Sequence, residues 1–191
     1  MDVRITEANA SHAPYIGKAI TMAIGDELVN GLAGEKHTPD DVLELFAHLA
    51  GRTDSQYSYL NSLVAVDENE KPLGVVIAYD GADLHRLRIP FFEEAEKKIS
   101  LKIEGEPADE TGPEEIYMDS LAVFPPYRGM GIGRKLIEAA YEKAEKSGKP
   151  LGLLVSKENS NARALYESLG FKAVGERPFA GEMMDHLMKK T

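Results

Sequence analysis

The sequence predicts a mixed α/β (α+β) fold: a mostly antiparallel sheet with one parallel strand pair and helices on both faces. Three observations predict it. Short β-branched and apolar runs recur along the chain, at 3–7, 63–66, 73–79, 116–123, 151–155, 171–176 and 183–188. The runs at 63–66 and 73–79 are joined by Asp67-Glu68-Asn69-Glu70-Lys71-Pro72, which reads as a hairpin with a longer loop. The runs at 116–123 and 151–155 flank a single amphipathic helix, and one crossover helix between strands implies a parallel pair wound right-handed.

Taken in order, Val3–Glu7 alternates as a short strand, and Ser11 stands where it would cap a helix running to about Ile24. Thr38-Pro39-Asp40-Asp41 supplies an N-cap, a proline in the first turn and two acids for the dipole. Val42, Leu45, Phe46 and Leu49 then form the apolar stripe of the second helix. A third helix fits up to about Ile99, and the stretch 105–113, with two prolines, two glycines and several acids, reads as a loop. Leu136, Ile137, Ala140 and Ala144 make the stripe of the crossover helix, which Gly148 and Pro150 stop. A short helix over 161–169 ends at Gly170. One domain over 1–191, with an insertion at about 83–113, accommodates all of this.

Composition narrows the chemistry. The 191 residues include no Cys, so disulfides, zinc–thiolate sites and thiol nucleophiles are excluded. The net charge of −10 argues against nucleic acid or an anionic membrane as partner. That charge is uneven: residues 1–127 hold 24 acids against 10 basic side chains, and 128–191 hold 8 acids against 12. No apolar run approaches the roughly 18–20 residues that span a bilayer, and no signal-like h-region follows the N-terminus. The expected setting is cytoplasmic. The five histidines show no metal-ligand spacing, so no metal site is expected. A homodimer is allowed for, since nothing in the sequence decides the oligomeric state.

The informative stretch is Arg128-Gly129-Met130-Gly131-Ile132-Gly133, between a strand and a helix. Three glycines at alternate positions clear Cβ atoms from the backbone and permit positive φ. Unpaired N–H groups at the helix start, aided by the helix dipole, then offer a site for an anion such as pyrophosphate. A Walker A loop would need Gly-Lys-Ser/Thr, and here Arg134 and Lys135 follow Gly133. The dinucleotide spacing Gly-x-Gly-x-x-Gly fails too, since Arg134 or Leu136 occupies its third place. A bare tight turn would need one glycine, not three.

Leu121-Ala122-Val123-Phe124-Pro125-Pro126-Tyr127 leading into that loop resembles the acyl-CoA-binding segment of GNAT-type N-acetyltransferases. Asn159-Ser160-Asn161-Ala162-Arg163-Ala164-Leu165-Tyr166, continuing to Gly170-Phe171, is similar to the family's second signature. The resemblance is specific over about 116–176. It implies that the parallel pair splays at the coenzyme site and that the amides of Arg128, Gly129, Met130, Gly131, Ile132 and Gly133 hold the pyrophosphate of acetyl-CoA. It further implies that the backbone of Leu121, Ala122 and Val123 pairs with the pantetheine arm as an added strand. Asn159 would contact the pantetheine, and Tyr166 would direct its hydroxyl at the sulfur. Helix capping is the rival role for Asn159, and covering the core rim is the rival for Tyr166.

The implied reaction is transfer of acetyl to a primary amine of a small molecule or peptide. A preorganised N–H, that of Val123, would stabilise the oxyanion, a donor typically worth ~3–4 kcal/mol. Tyr166 would protonate the departing thiolate. Asp119 is the best-placed base, because alternation along 116–123 groups Tyr117, Asp119, Leu121 and Val123 on one face unless a bulge resets the register. Glu115, His85, His186 and a water chain are the other candidates. The acidic region 1–127 is expected to attract a cationic amine. A silent acyl-CoA-binding module, or a transferase of another acyl group, remains the alternative.

Overall fold

The computed structural model describes residues 2–102, 105 and 107–191; positions 103, 104 and 106, inside the expected insertion, lie outside the described residues. The strands are β1 (Arg4–Glu7), β2 (Ser62–Val66), β3 (Pro72–Asp80), β4 (Ile116–Val123), β5 (Leu151–Val155), β6 (Lys172–Phe179) and β7 (Glu182–Lys189). The helices are α1 (Ala13–Ala33), α2 (Pro39–Ala50), the single turn α3 (Leu84–Leu87), α4 (Ile89–Ile99), α5 (Ile132–Ser147) and α6 (Ser160–Ser168). The strands form one sheet in the order β1-β2-β3-β4-β5-β7-β6, in which β4–β5 is the parallel pair. That pair is in register only at Ile116↔Leu151 and Tyr117↔Gly152. Beyond Tyr117 the two strands part, and the sheet is split by a wedge along the C-terminal half of β4.

Helices cover both faces. Ile16, Ile20, Leu45, Phe46 and Leu49 from α1 and α2 pack with Val64, Val75 and Ile77 on one side. Ile132, Leu136, Ile137 and Ala140 of α5 pack with Leu73, Val76, Met118 and Leu153 on the other. The buried Val, Leu, Ile, Phe and Met side chains among these contribute about 1.5–3 kcal/mol each of transfer free energy. The α2 start forms as its sequence demands: Thr38 accepts from the Asp41 N–H while Asp41 accepts from the Thr38 N–H, a reciprocal capping box.

Three local expectations are corrected. Ser11 does not cap α1; it donates to the Asn9 side chain, which caps the preceding 3-10 turn, and α1 begins after it with Pro14 in its first turn. The helix also resumes beyond Ile24, after a kink at Gly25 (φ 82°, ψ 162°), so its second segment carries Val29 and Ala33 into the core. The strongest correction concerns β4. The pairing steps from Ile77↔Ser120 to Ala78↔Met118, leaving Asp119 as the extra residue of a bulge. Leu121 and Val123 therefore join the α5-side cluster, whereas Tyr117 packs with Tyr79 on the opposite face. The face expected to hold Tyr117, Asp119, Leu121 and Val123 together is split in two at the bulge.

Candidate functional site

The wedge is bounded by the start of α5. Gly129 and Gly131 both sit at φ 76°, a left-handed conformation that costs an L side chain roughly 1–2 kcal/mol and costs glycine nothing. A Cβ placed on either would meet no atom within 4 Å, so the loop faces open space. Gly133 differs: it lies inside α5, where a Cβ would make ordinary contact with Val123 Cγ2 at 3.7 Å. Only two of the three glycines are thus required by backbone conformation.

The Arg128 N–H donates to Pro125 within the 3-10 turn at 3.3 Å, and its Nε donates to the Val123 carbonyl at 3.1 Å. From Gly129 to Arg134, by contrast, six consecutive N–H groups meet no acceptor among the described residues, and no side chain caps α5. Donors at a helix start with the dipole behind them fit an anion. Arg134 reaches Ser168 Oγ at 3.2 Å and so ties this helix start to the end of α6. The Phe124 N–H donates to the Leu73 carbonyl at 2.9 Å, so strand alternation turns the main-chain groups of Val123 away from β3, into the wedge. These features fit coenzyme A: a diphosphate for Gly129–Gly133, and an extended pantetheine for the open edge of Leu121–Val123.

The far wall is α6. Ala162, Leu165, Tyr166 and Leu169 pack against the same apolar cluster as Leu121 and Val123, which brings the two predicted motifs together. Tyr166 stacks obliquely on Phe171, with centroids 5.7 Å apart, and burial pushes its phenol up to about 12. Asn159 Oδ1 accepts from the Ala162 N–H at 3.1 Å. It therefore caps α6, and its amide nitrogen is left for a second contact.

Asp119 is held on the other side of the sheet. Its Oδ1 accepts from Ser120 Oγ (2.8 Å), and its Oδ2 faces Gln56 Nε2 (3.2 Å) and the Tyr79 hydroxyl (3.5 Å). Burial raises its pKa, opposed by those three donors. The same amide and hydroxyl face Glu110 Oε1 at 3.3 and 3.2 Å. Burial first, then the Asp119 charge, raises Glu110 from 4.5 to about 7. Burial beside both acids also pushes the Tyr57, Tyr79 and Tyr117 phenols well above the ordinary ~10.

Sequence reasoning missed Glu110, which sits in the 105–113 stretch with no periodic neighbour to place it. The other proposed bases are otherwise engaged. Glu115 and His186 are buried and face each other at 2.8 Å, and Thr111 donates to Glu115 at 2.7 Å. His85 is exposed against Asp109 at 3.1 Å. Among the described residues, no group of three or more His, Cys, Asp or Glu side chains is arranged to hold a metal ion.

Comparison with known proteins agrees with this layout. The family model described as Acetyltransferase (GNAT) family matches residues 29–171. An acetyltransferase crystal structure superposes with a TM-score of 0.76 at 29% identity, covering 98% of both chains. The "N-alpha-acetyltransferase RimI" of Mycobacterium tuberculosis is 40% identical over 67 residues, 35% of this chain and 41% of that protein. The "[Ribosomal protein bS18]-alanine N-acetyltransferase" of Escherichia coli K12 is 44% identical over 59 residues, 30% of this chain and 40% of that protein. The matches thus span less than half the length of these two curated relatives.

Proposed function

The chain belongs to the Acetyltransferase (GNAT) family, and from that premise we propose that it transfers an acetyl group from acetyl-CoA to a primary amine of a small molecule or peptide. The observation that carries this reading is the run of six N–H donors from Gly129 to Arg134, opening onto a wedge beside the free edge of β4. In this reading residues 1–191 act as one domain, with the 83–113 insertion on the acceptor side, in a cytoplasmic setting.

Bound acetyl-CoA would supply an activated thioester. The chain's own groups do the rest. Gly129–Gly133 hold the diphosphate through main-chain donors, and Leu121–Val123 align the pantetheine as an added strand. The Val123 N–H, fixed by the β3 ladder and the Arg128 contact, is set for charge developing on an acyl oxygen. Tyr166, whose phenol stays protonated up to about pH 12, holds a proton for the departing sulfur. Asp119 lies across the sheet, where the proton of an incoming ammonium must be taken up.

Calorimetry with acetyl-CoA and with CoASH tests the binding half. Saturable heat with both is expected, and no heat with either overturns the reading. Thiol release from acetyl-CoA over a panel of amines tests the transfer half. Turnover that needs an amine supports it; binding without amine-dependent release overturns catalysis in favour of a sensing module.

A further inference from the structure

The parallel pair that opens into the wedge is held by very little main chain. β4 and β5 are in register only at Ile116↔Leu151 and Tyr117↔Gly152, yet the wedge must keep one width if an extended ligand is to lie in it. Three buried side chains gather at its closed end. Glu115, immediately before β4, is 0% exposed, Thr111 2% and His186 6%. His186 Nε2 stands 2.8 Å from Glu115 Oε2, and Thr111 Oγ1 donates to Glu115 Oε1 at 2.7 Å. Both carboxyl oxygens are thus engaged, which holds the side chain in one conformation.

This contact skips a strand. The sheet order places β5 between β4 and β7, and His186 lies on β7 opposite Leu154 of β5. Strands two places apart in a sheet are about 10 Å from each other, so the Glu115 and His186 side chains together span that gap over the face of β5. The crossing point is Gly152. A Cβ there would fall 1.6 Å from Glu115 Oε2, although the regular strand backbone at that position asks for no glycine. Gly152 is also the last paired residue of β5 before the strands part. The far wall of the wedge depends on β7 in turn. α6 buries none of its residues fully, and Arg163 ties it to Asp185, the neighbour of His186. A line of side-chain bonds therefore runs from the root of β4 through β7 to the helix that carries Tyr166, bypassing the short β4–β5 ladder.

We propose that Glu115 and His186, crossing at Gly152, form a clasp that sets the width of the wedge and so positions α6 against β4. Both are positioning residues: they are buried at the closed end and act through Asp185, Arg163 and the strands they join. A hydrogen bond shielded from water is stronger than an exposed one and weakens steeply away from its preferred geometry, which suits it to hold a hinge. The site is sensitive to such a hinge, because a misplacement of about 1 Å between groups that must act together costs about 100-fold in rate. The consequence for acetyl-CoA rests on reading the wedge as the coenzyme site. The clasp itself does not.

The clasp is tested in the full chain without coenzyme. The sequence has no cysteine, so Glu138→Cys on α5 and Ala164→Cys on α6, both exposed, accept one pair of nitroxide labels. Double electron–electron resonance should give a single narrow distance distribution. In Glu115→Leu/His186→Leu, where an apolar pair replaces the buried polar one and leaves no charge unpaired, the distribution should broaden and shift. His186→Gln keeps a donor for Glu115 and should retain the narrow distribution. Thr111→Val frees one oxygen of Glu115; it should broaden the distribution to a smaller degree, and it decides the matter if the double variant does not fold. An unchanged distribution in the folded variant overturns the clasp. On the coenzyme side, the double variant should bind acetyl-CoA about 10-fold more weakly by calorimetry, with KM for acetyl-CoA raised in proportion and KM for butylamine within about twofold. His186→Gln should keep acetyl-CoA affinity within about twofold. An equal loss for both substrates would mark general destabilisation and overturn the positioning role. Failure of acetyl-CoA to bind the wild type overturns the transferase reading instead and leaves the distance distributions to decide the clasp.

Discussion

The two sides of β4 are mirror images in their polar chemistry. On the α5 side six main-chain donors converge without acceptors, while on the α1–α2 side two carboxylates converge without a cation. Among the described residues no fully buried side-chain polar atom lacks a hydrogen-bond partner. The two sides differ in setting: most of the donors lie on exposed residues, where water can meet them, whereas the two carboxylates are partly buried and held by neutral donors alone. They are what a strand needs if an anionic ligand is to meet a cationic one across it. The difference also shows how each side is built. The donor side uses backbone, whose positions the fold sets, and the acceptor side uses side chains recruited from four segments.

The sharpest way to break the donor side is Gly131→Val. A β-branched residue at φ 76° is strained, and its bulk would enter the open space that the loop faces. Acetyl-CoA affinity should fall about 100-fold or more, equivalent to ~3 kcal/mol. Calorimetry checks it, with circular dichroism to show that the fold persists. Unchanged affinity would mean that those nitrogens do not bind the diphosphate.

The acceptor side can be broken through stability instead of rate. Glu110 titrates at about 7 in the fold and near 4.5 when unfolded, so between those values the native state keeps a proton that the unfolded chain has lost. Its contribution to stability is therefore complete below 4.5 and is lost as pH rises through 7. Glu110→Gln never ionises and escapes this loss. Relative to wild type the variant should gain up to about 3 kcal/mol on going from pH 4.5 to pH 8, read from urea midpoints. A difference that does not change with pH would show that burial and Asp119 do not perturb this acid.

The two sides were not equally legible in sequence. Gly129 and Gly131 announce themselves because few other contexts demand closely spaced glycines between a strand and a helix, and periodicity placed α5 directly after them. The α2 capping box was spelled out by Thr38 and Asp41. The acceptor side was not legible, for two physical reasons. A bulge at Asp119 inverts the alternation that assigns faces, and nothing in the side-chain pattern of 116–123 requires a bulge there. Glu110, Gln56 and Tyr57 lie outside regular elements, so no period ties them to Asp119; only the fold brings them within hydrogen-bond distance. Asp119 was found as a candidate from its strand position, but with the wrong neighbours.

A smaller effect separates proton donation from packing at Tyr166. Its phenol, near 12, lies well above a thiol at ~8.5, so full transfer to sulfur is uphill and the hydroxyl contributes mainly as a hydrogen-bond donor. Tyr166→Phe should lower kcat about 10-fold with KM for acetyl-CoA little changed, because the ring contact with Phe171 survives. An unchanged kcat would remove Tyr166 from the chemistry. Smaller again is the long-range field of the acidic N-terminal region, with 24 acids against 10 bases. KM for butylamine should rise about threefold between 50 and 500 mM salt as screening shortens its reach, while kcat holds. A salt-independent KM would remove the acidic region from recognition.

The finest test asks whether all three loop glycines serve the donor side equally. Gly133 has ordinary helical backbone, and a methyl there would touch only Val123 Cγ2 at 3.7 Å. Exchanging glycine for alanine inside a helix stabilises by about 0.5–1 kcal/mol, since less backbone entropy is lost on folding. Gly133→Ala should therefore raise Tm by a few degrees and change acetyl-CoA affinity less than about twofold. A large loss of affinity would mean that the ligand approaches the first turn of α5 more closely than the diphosphate alone requires. The donor side would then extend one residue deeper into the helix than positive φ marks out.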